Sequence, residues 1–149
     1  MKRLFVTLIA LIALTFAVQA APPSDWFVVW SGGGETYMIN PDITQTDNGN
    51  SYLVWICNTF DEPEARESDT RENEFNKTVA YKITLYKFSD NGKKLNIVQS
   101  SNYGEDDSVI YQYSNPDLEN TAIDILDDSL FKIIAENAMI LYEIKTNPE

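Results

Sequence analysis

The 149-residue chain contains no histidine and a single cysteine, Cys57. Without histidine, the commonest general base and the commonest zinc ligand are both missing. A Ser-His or Cys-His nucleophile pair is excluded within the chain, and one cysteine leaves no ligand set for structural zinc. One cysteine also excludes an internal disulfide. Positive charge is scarce: 11 Lys and Arg stand against 23 Asp and Glu, for a net charge of −12. Phosphate backbones are bound by clustered Lys and Arg, so this balance argues against nucleic acid as a partner. It argues equally against an anionic membrane surface. A basic protein or divalent cations remain compatible with it, as does a simple role in solubility.

The longest apolar stretch lies at the start. Lys2 and Arg3 precede an apolar run from Leu4 to Val18, which ends in Val18-Gln19-Ala20. A short positive segment, an apolar run and small residues at a cleavage site have the layout of a secretory signal peptide over residues 1–20. The run is shorter than the ~20 residues of a spanning helix. No cysteine follows the cleavage site, so a lipid anchor is not indicated. Removal of the leader takes Lys2 and Arg3 with it and no acid, so the charge of −12 becomes −14. Residues 21–149 are then the length of one domain, sufficient for a modest core without covalent staples. Cys57 sits inside the apolar run Tyr52–Cys57 and reads as a buried structural cysteine. A reactive thiol or an intermolecular bridge is the alternative.

Strand signals dominate the remaining chain. Trp26-Phe27-Val28-Val29-Trp30 is aromatic and β-branched, and Ser31-Gly32-Gly33-Gly34 breaks it. No helix start follows those glycines, so they read as a hairpin turn and not as a phosphate cradle. Thr36–Ile39 is a second strand, ended by Asn40-Pro41-Asp42 because proline cannot donate to a ladder. Asp47-Asn48-Gly49 is a bend before Ser51–Phe60, whose two faces are both apolar. That strand is predicted to be central and covered on both sides. The segment Asp61–Lys77 is dense in charge. Asp61 can cap a short helix there with Pro63 in its first turn, or the segment is a mobile loop; as a charge run it reads as a solvated connection, with a recognition arm as the alternative. Thr78–Phe88 is a long strand, turned at Ser89-Asp90-Asn91-Gly92 into Leu95–Val98. After a turn at Tyr103–Asp107, Val109–Tyr113 is the last strand predicted. Leu130, Ile133, Ile134, Ala138 and Leu141 recur at helical spacing as one apolar face, with Asp127, Asp128 or Ser129 as the cap. The expected class is α+β: an antiparallel sheet of about six strands in sequential hairpins, with one C-terminal helix packed on it.

The residues show no constellation for catalysis, and no catalytic, cofactor or metal residue is assigned. Three acidic turns offer oxygen ligands of the kind calcium takes: Asp47–Asn50, Asp90–Gly92 and Glu105–Asp107. None has the alternating spacing of a calcium-binding helix-loop-helix, and Asp, Asn and Gly are standard turn formers. Aromatic residues are the better binding candidates. Tyr111 and Tyr113 share a strand face, and Tyr103 stands at the preceding turn. These three are the binding residues expected from sequence, whereas Trp26 and Trp30 read as core.

The order of the pieces resembles the surface-adhesin protein E family of secreted bacterial proteins. "WFVVW", "TYMINPDI" and "SYLVWI" place Trp26, Tyr37, Pro41 and Trp55 as in that family. "LYKFSDNGKKLNIV", with Tyr86 and Phe88, is similar to its Tyr-x-Phe strand and hairpin. "VIYQYSNPD" and "DDSLFKIIAENA" resemble its Tyr-rich strand and final helix. The chain departs from the family at two points. Ser89 and Asp90 stand where many members carry a cysteine, and there is no second cysteine near Ala138, so the family's disulfide is absent. The resemblance implies a small sheet-plus-helix domain at the cell surface, in the periplasm or outside the cell. It implies a non-enzymatic binding function, for some members attachment to host extracellular-matrix proteins. Two alternatives come from other classes: a small secreted ligand-binding or carboxylate-based hydrolase domain, and an envelope inhibitor acting on a basic partner.

Overall fold

The computed structural model describes residues 23–148; the expected leader lies outside them. The described elements are β1 (Phe27–Gly32), β2 (Glu35–Ile39), β3 (Thr44–Thr46), β4 (Ser51–Phe60), α1 (Pro63–Glu72), β5 (Tyr81–Ser89), β6 (Lys94–Tyr103), β7 (Val109–Ser114), β8 (Ile123–Asp124) and α2 (Leu130–Thr146). All strands join one antiparallel sheet in the order β1-β2-β4-β5-β6-β7, with β3 also paired to β4 and β8 to β6. The architecture is the expected α+β, a meander carrying a C-terminal helix.

β4 is the centre of the sheet because neither of its faces is polar. Nine of its ten residues are buried. Tyr52, Val54 and Ile56 point one way and pack with Phe88, Leu95 and the α2 residues Ile134, Ala135 and Ala138. Leu53, Trp55 and Cys57 point the other way and pack with Tyr81, Ile83, Leu85, Val98 and Tyr103. That second face is closed by Trp26 and by Leu118 from the segment after β7. Asn96 holds the segment down, its Nδ2 donating to the Leu118 carbonyl at 3.0 Å and to Thr121 Oγ1 at 3.2 Å. Each large apolar side chain buried in these clusters contributes roughly 1.5–3 kcal/mol.

β2 and β3 are two parts of one neighbour to β4. Glu35–Ile39 pair with its second half and Thr44–Thr46 with its first. Pro41 interrupts them, as expected for a residue without an N–H. Asn40 bends the chain there, its Oδ1 accepting from the Asp42 N–H at 2.8 Å. The Asp47-Asn48-Gly49 bend joins β3 to β4 with all three residues at positive φ, 52°, 54° and 92°. Asp, Asn and Gly tolerate that region best. Asp47 is no free ligand there: it pairs with Lys87 at 2.6 Å, and that contact holds its carboxyl below the usual range.

Three features differ from the sequence expectation. Within Asp61–Lys77 the short helix that is one of the two expected readings forms as α1, with Pro63 in its first turn, but its cap is Glu62 and not Asp61. Asp61 instead accepts from Thr36 Oγ1 at 2.6 Å and from Thr59 Oγ1 at 2.8 Å. Val109–Tyr113 is not the last strand, because the two-residue β8 follows it. On α2, Ile134 and Ala138 face the core as expected, but Ile133 is 41% exposed. The buried arc is centred on Ile134, Ala135 and Ala138, and Ile133, one residue and 100° before Ile134, falls outside it.

α2 begins at Ser129, whose Oγ accepts from the Lys132 N–H at 3.3 Å. Phe131 packs on Tyr86 with ring centroids 5.4 Å apart. At the other end, Tyr142 packs on Tyr52 at 5.3 Å and donates to Gln45 Oε1 at 3.1 Å, and Lys145 pairs with Asp42. The helix therefore crosses the sheet face from β5 to β3.

Candidate binding surface

α1 and α2 cover opposite ends of the same sheet face. Side-chain contacts fix α1 and the residues just after it. Arg66 Nε donates to the Phe60 carbonyl at 2.6 Å, and Thr70 Oγ1 accepts from the Val79 N–H at 3.0 Å. Asp69 pairs with Lys82, and Phe75 packs on Tyr111 with centroids 5.5 Å apart.

A straight cross-strand row runs over this face beside α1. Trp30, Tyr37, Asn58, Lys82, Asn102 and Tyr111 stand directly opposite one another from β1 to β7. The next row towards α2 is Ile39, Ile56, Thr84, Ser100 and Tyr113. The first row has a polar centre and aromatic ends. Trp30 meets Tyr37 edge to face, with centroids 5.8 Å apart. Asn58 Nδ2 donates to Glu35 Oε2 at 3.0 Å. Burial pushes the Tyr37 phenol well above its ordinary value, and the nearby Glu35 carboxylate adds to this. Burial also pushes the Tyr86 phenol up to about 12, with a hydrogen bond from Thr84 acting the other way. Both phenols are neutral donors at physiological pH. Two acceptor atoms in the row's centre, Asn58 Oδ1 and Asp69 Oδ2, are buried without a hydrogen-bond partner among the described residues. The row's centre is buried, with Asn58 and Asn102 closed off from solvent, and its exposed chemistry is that of the aromatic end at Tyr111. Its carboxylates, Glu35 and Asp69, are each committed to a neutral or cationic neighbour.

The three tyrosines expected to bind are not brought together. Tyr111 and Tyr113 lie on edge strand β7, 48% and 39% exposed, on the face that carries the helices. Tyr103 is 4% exposed in the opposite cluster. Its ring stacks on Tyr81 at 4.7 Å and an interplanar angle of 6°. A register shift between Asn102 and Tyr103 in the β6–β7 ladder accompanies this separation. Sequence reasoning missed the row itself. Its members are spread over six strands, and only the register aligns them.

At the end of the sheet beyond Phe60 there is a shallow depression of about 500 Å³, bounded by Asp61, Arg66, Tyr81 and the Gly104–Asp107 turn. The acids of that turn are engaged in separate contacts. Glu105 pairs with Arg66, Asp106 accepts from the Ser108 N–H at 3.1 Å, and Asp107 accepts from the Tyr81 hydroxyl at 3.1 Å. No group of three or more metal-ligating side chains occurs among the described residues. Cys57 is buried in β4, and burial pushes its thiol up to about 12, helped by Asp61. No helix among the described residues is long and apolar enough to cross a membrane.

No family model and no curated protein matches the chain. Its fold is that of a protein E-like α+β domain. The solved structure that shows this is the crystal structure of protein E from non-typeable Haemophilus influenzae. The match covers 88% of this chain and 84% of that one, with a TM-score of 0.50 and 11% sequence identity. At that identity the likeness is one of fold.

Proposed function

We propose that the chain is an exported, non-enzymatic binding protein, with a signal peptide over residues 1–20 and one binding domain over residues 21–149. It works in the periplasm, at the cell surface or outside the cell, and its partner is a protein. The observation that carries this reading is the aromatic end of the sheet. Tyr111 and Tyr113 stand exposed on an edge strand, beside Phe75, on a fold shared with protein E. Exposed aromatics anchor interfaces because they bury large area at little entropic cost. Tyr103 contributes from below, its stack on Tyr81 anchoring the end of β6 beside β7. The family resemblance points to host extracellular-matrix proteins as partners.

The test is binding of the purified chain to immobilised vitronectin and laminin at physiological salt. Saturable binding is expected, weakened about tenfold by Tyr111→Ala with Tyr113→Ala, the equivalent of about 1.4 kcal/mol. Absence of saturable binding to both proteins refutes the matrix-attachment reading.

A further inference from the structure

We propose that the outward stripe of α2 is a docking seam for an amphipathic helix of a partner protein, one flanked by lysine or arginine. This surface is separate from the tyrosines of β7 and does not depend on them.

Ile133, Asn137, Ile140 and Ile144 follow one another at spacings of 4, 3 and 4. That is the a/d pattern of a helix-pairing seam. The core is served by a different arc of the helix: Phe131, Ile134, Ala135, Ala138 and Tyr142 all pack against the sheet. Ile133, Ile140 and Ile144 are left 41%, 53% and 65% exposed. A surface helix normally carries polar residues opposite its buried face, and a helix apolar all round is a buried one. α2 is therefore apolar on two sides with only one covered. The seam runs from Ile133 to Ile144, roughly 17 Å at 1.5 Å per residue.

Two details select the occupant. Asn137 stands at an a position, where a lone amide fixes register and discriminates among pairings. Its Nδ2 donates to the Ile133 carbonyl at 2.8 Å, which holds it on the seam side of the helix. The flank of the seam is acidic, with Glu136 and Glu143 one heptad apart, each at a g position. Glu136 has Lys132 at 3.3 Å, whereas the other lysine of α2, Lys145, is turned to Asp42. Antiparallel self-pairing would set Glu136 and Glu143 of one copy against those of the other. Parallel pairing in register would set Glu136 against Leu141 and Glu143 against Pro148. Both arrangements disfavour a second copy. Basic flanking residues on a partner helix meet these carboxylates directly, and the chain's net charge of −12 adds to their attraction.

The experiment uses the full chain and a fluorescently labelled synthetic helix of three heptads. The helix carries Ile and Leu at a and d, one central Asn and Lys at e and g. A second peptide has Glu in place of every Lys. Anisotropy is expected to show saturable binding of the Lys peptide, at least tenfold weaker binding of the Glu peptide, and weakening with added salt. Ile140→Ser is expected to reduce binding at least tenfold while leaving circular dichroism and the urea midpoint unchanged; Tyr111→Ala is expected to change nothing. The proposal is overturned by no saturable binding, by equal binding of the two peptides, or by full binding to Ile140→Ser. It is also overturned if sedimentation shows a dimer that Ile140→Ser dissolves, which assigns the stripe to a second copy. Binding to phosphatidylcholine vesicles that Ile140→Ser abolishes would assign it to a lipid surface and overturn it as well.

Discussion

Replacing Gly92 by alanine probes the packing of α2 against the β5–β6 hairpin, because Gly33 supplies a matched control. Both glycines sit in hairpin turns at positive φ, 76° for Gly92 and 61° for Gly33. An L-residue in that region costs about 1 kcal/mol. A Cβ at Gly33 meets nothing within 4 Å, so strain alone acts there. A Cβ at Gly92 comes within 3.3 Å of Ala135 Cβ and 3.4 Å of Met139 Sδ. Met139 can swing aside, but Ala135 Cβ moves only with the helix backbone, so hairpin and helix must separate by a few tenths of an ångström. Overpacking of this kind costs about 1–3 kcal/mol. Gly33→Ala is therefore expected to lose about 1 kcal/mol and Gly92→Ala about 2–4 kcal/mol. With a urea slope of roughly 1.5 kcal/mol per molar, the midpoints fall by about 0.7 M and about 1.3–2.7 M. Ala135→Gly removes the contact and should recover about 1 kcal/mol in the Gly92→Ala background beyond its own helix-propensity cost. Equal losses at the two glycines, or no coupling with Ala135→Gly, would refute the placement of α2 over this hairpin.

Ile56→Ala, which opens a cavity in the central strand beneath α2, is expected to cost about 2–5 kcal/mol. Ile144→Ser, on the open side of the same helix, should stay within about 0.5 kcal/mol; both are read from urea midpoints. Lys82→Met leaves the Asp69 carboxylate, 11% exposed, without its cation. It is expected to cost about 2 kcal/mol, less than a fully buried pair because Lys82 is itself partly exposed. The double variant with Asp69→Leu should recover most of that loss. Stability should fall steeply in alkali. Tyr37, Tyr81, Tyr86 and Cys57 all keep their protons above the values at which the unfolded chain releases them, 10.0 for tyrosine and 9.0 for cysteine. Above about pH 9 for the thiol and about pH 10 for the phenols, the unfolded state binds fewer protons than the native one, so each such group removes up to about 1.4 kcal/mol per pH unit until its native form titrates. A urea midpoint constant between pH 8 and 11, or phenolate absorbance that rises equally in native and unfolded protein, would contradict this.

The central part of the fold was legible because burial is written directly in residue type. Ser51–Phe60 is apolar on both faces, and it is the strand covered on both faces. Turns at Gly33-Gly34 and Asp90–Gly92 were legible because few residues adopt positive φ. β3 was not: Thr-Gln-Thr has no apolar pattern and is a strand only because β4 offers it a ladder. β8 is two residues long for the same reason. α1 carries too little apolar surface to show a periodic face, and what holds it is a set of side-chain contacts to β4 and β5. The binding candidates were half legible. Tyr111 and Tyr113 share a face because alternation is strict within a strand, whereas Tyr103 lies across a register shift that composition does not encode. The polar row from Tyr37 to Asn102 belongs to register alone.

Cys57, buried at the middle of the central strand, gives the molecule a built-in clock. Its thiol can react only when β4 parts from its neighbours. In an oxidising medium the rate at which molecules cross-link is then the rate, or the equilibrium population, of that opening. Labelling of this single native thiol reads that quantity without any engineered probe.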